Sequence, residues 1–317
     1  MIESNSLRKR FCSDFKLPIS IFSEPYFSYY VDLYNKEYEI DKKIVLLNKV
    51  YEGVNNNVED FLSYSFKLSE KIKTEVINSK AYDKLNNVDF NKEFPLIADI
   101  PNRNIYISEN EGKRLISIDL KQANYNCLDF FDIKKELNAE NYAQLIKKYT
   151  EYDYYVESKK IRQVIFGELN PKRQQRLQKH VIHKYCEELQ KHGYKLSSAS
   201  SDEIIIDSES ANIKDIKNIL LKFPEKYQFY RIEEFTINKI LEDKDFYIKE
   251  IKDEFNNTKH EFKNIPTYFF AQVYKHYKEL EINEYDLMFY HDGLLSVFKE
   301  SIFDKNQNKN RNNFKIG

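Results

Sequence analysis

The apolar positions of this chain change period several times, and the most informative change falls between residues 112 and 127. Leu115, Ser117 and Asp119 alternate with Ile116, Ile118 and Leu120, the two-residue period of a strand whose successive side chains point to opposite faces. The pattern then shifts to helix over 122–131. A carboxylate, Asp119, therefore closes a strand that otherwise reads as buried, and a charge there is costly unless a cation meets it. Taken alone, Asp119 would read as a turn or helix-cap aspartate.

Upstream, residues 27–92 carry helical spacing: Ile44, Val45, Leu47 and Val50, then Phe61, Leu62, Tyr64, Phe66 and Leu68. A break at 53–57 predicts a helical hairpin. Residues 105–107 and 114–119 read as a β-hairpin. Downstream, 141–149 and 159–167 read as helices, and Pro171 suits the first turn of another. Leu177, Val181, Ile182, Tyr185, Cys186 and Leu189 form one apolar stripe on it. Arg173, Arg176, His180, His183 and Lys184 lie opposite as a surface face, and Gly193 fits the stop. A hairpin follows, 194–200 and 203–207 around Ser201-Asp202, then a helix over 212–223 and one or two strands over 227–240. Residues 241–265 are highly charged and read as a helical spacer. Residues 266–280 read as an aromatic amphipathic helix, and 285–298 as a hairpin turning at His291-Asp292-Gly293. Residues 304–317 are polar and rich in Asn and Lys, the composition of a disordered tail.

Composition changes this picture in a few places. The chain has 317 residues, 41% hydrophobic and 15% aromatic, which is enough for a sizeable folded core. Its net charge is −1, so charge alone makes no case for nucleic acid. The distribution does: residues 159–184 hold eight Lys or Arg against one acid, Glu168, leaving −8 for the remainder. Cys12, Cys127 and Cys186 are far apart with no CxxC pair, which argues against a disulfide framework or zinc site and fits a reducing, cytoplasmic compartment. No run of 18 apolar residues occurs and the first residues lack the apolar stretch of a secretion signal, so no membrane partner is expected.

The chain thus reads as strand–Asp119, a basic helix around Arg162-Gln-Val-Ile-Phe-Gly167, then strand–Asp202-Glu203–strand. In order, Pro101-Asn-Arg-Asn-Ile105, the segment from Glu111 to Asn124, Arg162–Gly167 and the helix and hairpin from Gln178 to Glu203 resemble the palm and finger motifs of the family A DNA polymerases, over roughly residues 100–240. The resemblance implies an α+β protein: a helical thumb-like subdomain over 1–95, a palm with an antiparallel sheet and reduced fingers over 96–245, a C-terminal helix and hairpin over 246–304, and a polar tail over 305–317. It implies template-directed, two-metal nucleotidyl transfer, with Asp119 and Asp202 holding two Mg²⁺ ions and Glu203 as the lesser carboxylate. Arg162 and Lys159 would contact nucleotide phosphates, and Phe166 would stack on the incoming base. Asn124 would lie beside the nucleotide, and Lys172, Arg173 and Arg176 would hold the primer–template.

Departures accompany the resemblance. Asn124 stands where the family has the Glu that screens sugars, so the sugar preference stays open. Arg162 replaces a Lys, a fork for a point charge. Glu168-Leu-Asn-Pro171 replaces a Tyr-Gly pair, Ser201 replaces a His, and the span from Phe166 to Asp202 is short. These losses imply a replication partner or a specialised template, and they keep a catalytically inactive nucleic-acid-binding subunit as an alternative. Tyr290-His-Asp292-Gly293 is a second candidate for the last carboxylate motif. Phe166-Gly-Glu-Leu-Asn-Pro171 with Gln175-Arg176 also resembles reverse transcriptases, which would change the template and not the chemistry.

Overall fold

The computed structural model describes residues 2, 4–96, 100–132, 136–208, 211–252, 258–291 and 293–304. The chain forms two compact units, Met1–Val58 with Asn264–Gly317, and Glu59–Lys263.

The first unit begins with α1 (Asn5–Phe15), α2 (Tyr26–Tyr38) and α3 (Ile40–Gly53). The second runs through α4 (Val58–Ile77), α5 (Lys80–Asn87), α6 (Phe90–Glu93), β1 (Arg114–Leu120) and α7 (Ala123–Asp129). It continues with α8 (Tyr142–Lys147), α9 (Asp153–Glu157), α10 (Lys159–Gly167) and α11 (Pro171–Lys191). Then come β2 (Leu196–Ala199), β3 (Glu203–Asp207), α12 (Ile213–Leu220), β4 (Tyr230–Leu241), β5 (Lys244–Lys252) and β6 (Thr258–Lys263). The first unit closes with α13 (Phe270–Tyr277) and the hairpin β7 (Met288–His291) and β8 (Leu294–Val297).

In the first unit, the buried Tyr34 ring meets Phe270 at 5.5 Å and Tyr274 at 5.2 Å, both edge-on. Beside it, Asp286 is fully buried, so it needs partners. Lys275 Nζ lies 2.8 Å away and the Tyr29 hydroxyl donates to it at 2.6 Å. This polar knot ties α2 to the last segment of the same unit.

The second unit is α+β. Its antiparallel sheet has the order β2-β3-β1-β4-β5-β6, with β1 between β3 and β4. Ile116 and Ile118 of β1 and Ile204 and Ile206 of β3 share one face and are fully buried. Each such side chain stabilises the fold by about 1.5–3 kcal/mol relative to exposure. The long helix α11 packs along β2 and β3, and α12 along β4. The expected stripe from Leu177 to Leu189 is the buried side of α11. The other face of the sheet is divided. At one end Ile105, Leu115, Ile205, Phe235, Ile237, Tyr247 and Ile251 form an apolar cluster. At the other end the same face carries Ser117, Asp119, Glu203, Arg231 and Glu233, as the register requires.

Several expectations are corrected. The expected parting lines at 95/96 and 245/246 differ from those of the two units, because α4–α6 belong with the sheet and residues 264–304 with α1–α3. The charged segment 241–265 supplies β5 and β6, not a helical spacer. Phe246, Tyr247, Ile248 and Ile251 are strand formers, and its charges are paired in the sheet: Glu261 lies 3.1 Å from Lys259 and 2.9 Å from Lys263, its neighbours on the same face of β6. Residues 105–107 form no hairpin with β1. Asn104 accepts from the Tyr106 backbone N–H at 3.1 Å and Asn110 Nδ2 donates to the Ile105 carbonyl at 2.9 Å, local bonds that compete with a ladder. Both edges of β1 are already taken by β3 and β4. His180 is not a surface residue: it is buried, with Nδ1 2.8 Å from the Pro95 carbonyl. The polar tail 305–317 and Asp292 lie outside the described residues. Among the described residues no helix is long and apolar enough to cross a membrane.

Ile118 is fully buried at the centre of the sheet. Ile118→Ala should destabilise the fold by about 2–5 kcal/mol, read from denaturant unfolding, while Lys217→Ala on the exposed face of α12 should stay within about 0.5 kcal/mol. Equal effects would contradict this assignment of the core.

Candidate active site

The site is built where β1 ends. The register sets Asp119 opposite Glu203 on one side and Arg231 on the other. The Leu120 N–H donates to the Asp202 carbonyl at 2.8 Å, and the Lys121 N–H to the Phe229 carbonyl at 2.8 Å. These two bonds fix the strand end against the β2–β3 turn and the start of β4. In the turn, Ser200 Oγ accepts from the Glu203 N–H at 3.1 Å and lies 3.0 Å from Asp202 Oδ1, where Ser201 Oγ also donates at 3.4 Å. Gln122, in left-handed conformation, then turns the chain into α7, with Asn124 in its first turn.

Another wall comes from α10, capped by Ser158 Oγ accepting from the Ile161 N–H at 3.2 Å. Lys159, Arg162, Gln163 and Phe166 fall at i, i+3, i+4 and i+7, so they share one helix face. That face lines a cleft of about 500 Å³ together with Asp119, Lys121, Asn124, Tyr125, Tyr142, Gln178, Asp202 and Arg231. A smaller cleft of about 300 Å³, lined by Asn124, Gly167, Lys172, Gln175 and Gln178, adjoins it. The two share Asn124 and Gln178, whose amides bond at 2.9 Å. A Cβ on Gly167 would come within 3.4 Å of Asn124 Nδ2, so the helix approaches that amide closely.

The structure brings together Asp119, Asn124, Lys159, Arg162, Phe166 and Asp202, drawn from three separate stretches of sequence. Lys172 lines the neighbouring cleft. Other expected residues go elsewhere. Glu203 does not line the cleft; its Oε1 accepts from Ser117 Oγ at 2.5 Å and lies 3.7 Å from the buried Lys249 Nζ. Arg173 is an anchor for α5 and α6, not a nucleic-acid contact on this cleft. Its Nε donates to the Leu85 carbonyl at 2.6 Å, a second nitrogen donates to the Val88 carbonyl, and it stacks on Phe90 at 4.4 Å. Arg176 is half-buried and lines neither cleft. Phe166 is 2% exposed and meets Tyr125 edge-on at 5.7 Å, so it is part of the cleft floor more than a free stacking surface. Arg162 instead carries its guanidinium over the Tyr142 ring at 4.6 Å and bonds the Tyr142 hydroxyl.

Sequence reasoning missed Arg231, Tyr142, Gln163, Lys121 and the bridging role of Gln178. Gln163 was available from helical spacing after Lys159. Arg231 was not, because its place beside Asp119 depends on a long-range strand register.

Lys121, Lys159, Arg162 and Arg231 face Asp119 and Asp202, a local excess of +2 that favours a polyanion. Burial raises the Asp119 carboxyl above the ordinary aspartate range. Arg231, donating to Oδ2 at 2.9 Å, draws it back down, and the nearby charges of Glu203 and Asp202 push it up again. Asp119 Oδ1 and Asp202 Oδ2 have no hydrogen-bond partner among the described residues. This all-oxygen, anionic donor set fits a hard divalent cation. Among the described residues no three His, Cys, Asp or Glu side chains close into a metal cage. A cation held by Asp119 and Asp202 would need waters or substrate phosphates to complete its coordination, as Mg²⁺ accepts.

Because its value is raised, folded Asp119 holds a proton to higher pH than the unfolded chain does. Its contribution to stability is present at low pH and lost as pH rises from the ordinary aspartate range through the raised value. Asp119→Asn should therefore gain in unfolding free energy relative to wild type as pH rises from about 3 to about 7, measured by denaturant titration at each pH. A gap that stays constant or reverses would contradict the burial assigned to this carboxyl.

No protein-family model matches the chain, and no curated protein matches it at a significant level.

Proposed function

We propose that the chain is a template-directed nucleotidyltransferase, most similar in layout to a reduced family A polymerase palm. The observation that carries this reading is the convergence of Asp119, Asp202, Lys159 and Arg162 on one cleft with an excess of positive charge. Carboxylates for metal and cations for phosphate, in one open groove beside an antiparallel sheet, are what phosphoryl transfer needs from a protein.

Asp119 and Asp202 would hold two Mg²⁺ ions, which when bound supply electrophilic activation of the phosphoryl group and of the attacking hydroxyl. Lys159 and Arg162 bind and orient the triphosphate, and the stack on Tyr142 keeps the Arg162 guanidinium aimed. Asn124, its amide fixed by Gln178, presents hydrogen-bonding groups to the neutral part of the nucleotide. Lys172, exposed at the mouth of the smaller cleft, meets the nucleic-acid backbone. Glu203 acts from behind, adding negative charge near Asp119 without lining the cleft.

One observation favours a second reading, a nucleic-acid-binding accessory subunit without catalysis: Arg231 already occupies one oxygen of Asp119. Primer extension with Mg²⁺, on DNA and RNA templates and with deoxyribo- and ribonucleoside triphosphates, separates the two. The wild type should extend a primer. Asp119→Asn and Asp202→Asn should each reduce extension by roughly 100-fold or more, a few kcal/mol of transition-state stabilisation. Arg162→Ala should raise the nucleotide KM more than it lowers kcat. A wild-type chain that binds primer–template but extends nothing would support the accessory reading.

A further inference from the structure

Arg231 lines the cleft and is in direct ion-pair contact with Asp119. It lies on β4 directly opposite Asp119 of β1. One guanidinium nitrogen donates to Asp119 Oδ2 at 2.9 Å, and another lies 3.3 Å from Glu233 Oε1. The side chain is 49% exposed and lines the same cleft as Lys121, Lys159 and Arg162.

We propose that Arg231 is the resident counter-cation of this site, that a divalent metal displaces it from Asp119, and that the released guanidinium then serves the polyphosphate. The proposal rests on the metal-binding reading given above. A guanidinium and a divalent cation cannot both sit against one carboxylate at full strength, because they repel each other at contact distance. The pair is half-exposed, which makes it weak enough to yield. Glu233 gives Arg231 a second partner, so it can leave Asp119 without losing every ion pair. In the released position Arg231 adds a cation to a wall that already holds three. Metal and polyanion then favour each other: the metal frees Arg231 for phosphate, and phosphate that draws Arg231 away vacates Asp119.

The test uses the full chain and Mn²⁺ as the probe, with free Mn²⁺ counted by electron paramagnetic resonance in the absence of substrate. Arg231→Gln should bind Mn²⁺ about three- to fivefold more tightly than wild type, the scale of an exposed ion pair removed. Arg231→Lys, which keeps the charge, should stay near wild type. Asp119→Asn should lose the binding. With Mn²⁺ saturating, Arg231→Gln should also bind inorganic tripolyphosphate about tenfold more weakly by calorimetry, a loss of the order of one charge-assisted contact. If Asp119→Asn loses Mn²⁺ but Arg231→Gln binds it no better than wild type, the proposal is overturned and the metal site stands. If Arg231→Gln gains Mn²⁺ affinity but keeps its tripolyphosphate affinity, the transfer of Arg231 to phosphate is overturned. If Asp119→Asn binds Mn²⁺ as wild type does, the metal-site reading and this proposal fall together.

Discussion

Everything at the site depends on the register of β1 between β3 and β4. Asp119 stands opposite Glu203 and Arg231 because both partner strands run antiparallel to β1 and are held in step by their backbone ladders. A slip of one residue would turn Asp119 to the face that now buries Ile116 and Ile118, and would expose those isoleucines. The core therefore enforces the site. The apolar face of β1 can be buried in only one register, and that register delivers the carboxylate to the cleft. The two bonds at the strand end, from Leu120 to Asp202 and from Lys121 to Phe229, carry the same alignment into the adjoining loops.

The cost of the arrangement is electrostatic. A carboxyl is brought out of water beside two others, and burial raises its proton affinity. One guanidinium, itself half-exposed, offsets part of this. A site built only for stability would place an apolar residue here. Retaining an under-compensated carboxylate next to a wall of Lys and Arg makes sense where a cation and an anion arrive together, and such conflicts between local stability and charge tend to mark functional positions.

Much of the second unit was legible in the sequence because its signals are local. The two-residue alternation that ends at Asp119, the stripe from Leu177 to Leu189, Pro171 at a helix start and the i, i+3, i+7 spacing of Lys159, Arg162 and Phe166 each follow from the geometry of one element. What was not legible is long-range. The opposition of Arg231 and Asp119 needs a strand register set across 112 residues of chain. Arg173 looked like its basic neighbours and was committed instead to the carbonyls of Leu85 and Val88, which no local pattern announces. The strands β5 and β6 were hidden by their charges, which the sheet accommodates by pairing Glu261 with Lys259 and Lys263 along β6 and by burying Lys249 near Glu203. The division into units was hidden for the same reason, since residues 264–304 return to α1–α3 after the whole sheet has been built.

We propose that Asp119 and Asp202 form one divalent-cation site in the cationic cleft. A crystal of the full chain soaked with Mn²⁺, with anomalous scattering collected at the manganese edge, tests it most directly. The account requires an anomalous peak within about 2–2.5 Å of carboxylate oxygens from both residues. Manganese bound elsewhere, or no peak between these two side chains at saturating Mn²⁺, would contradict it.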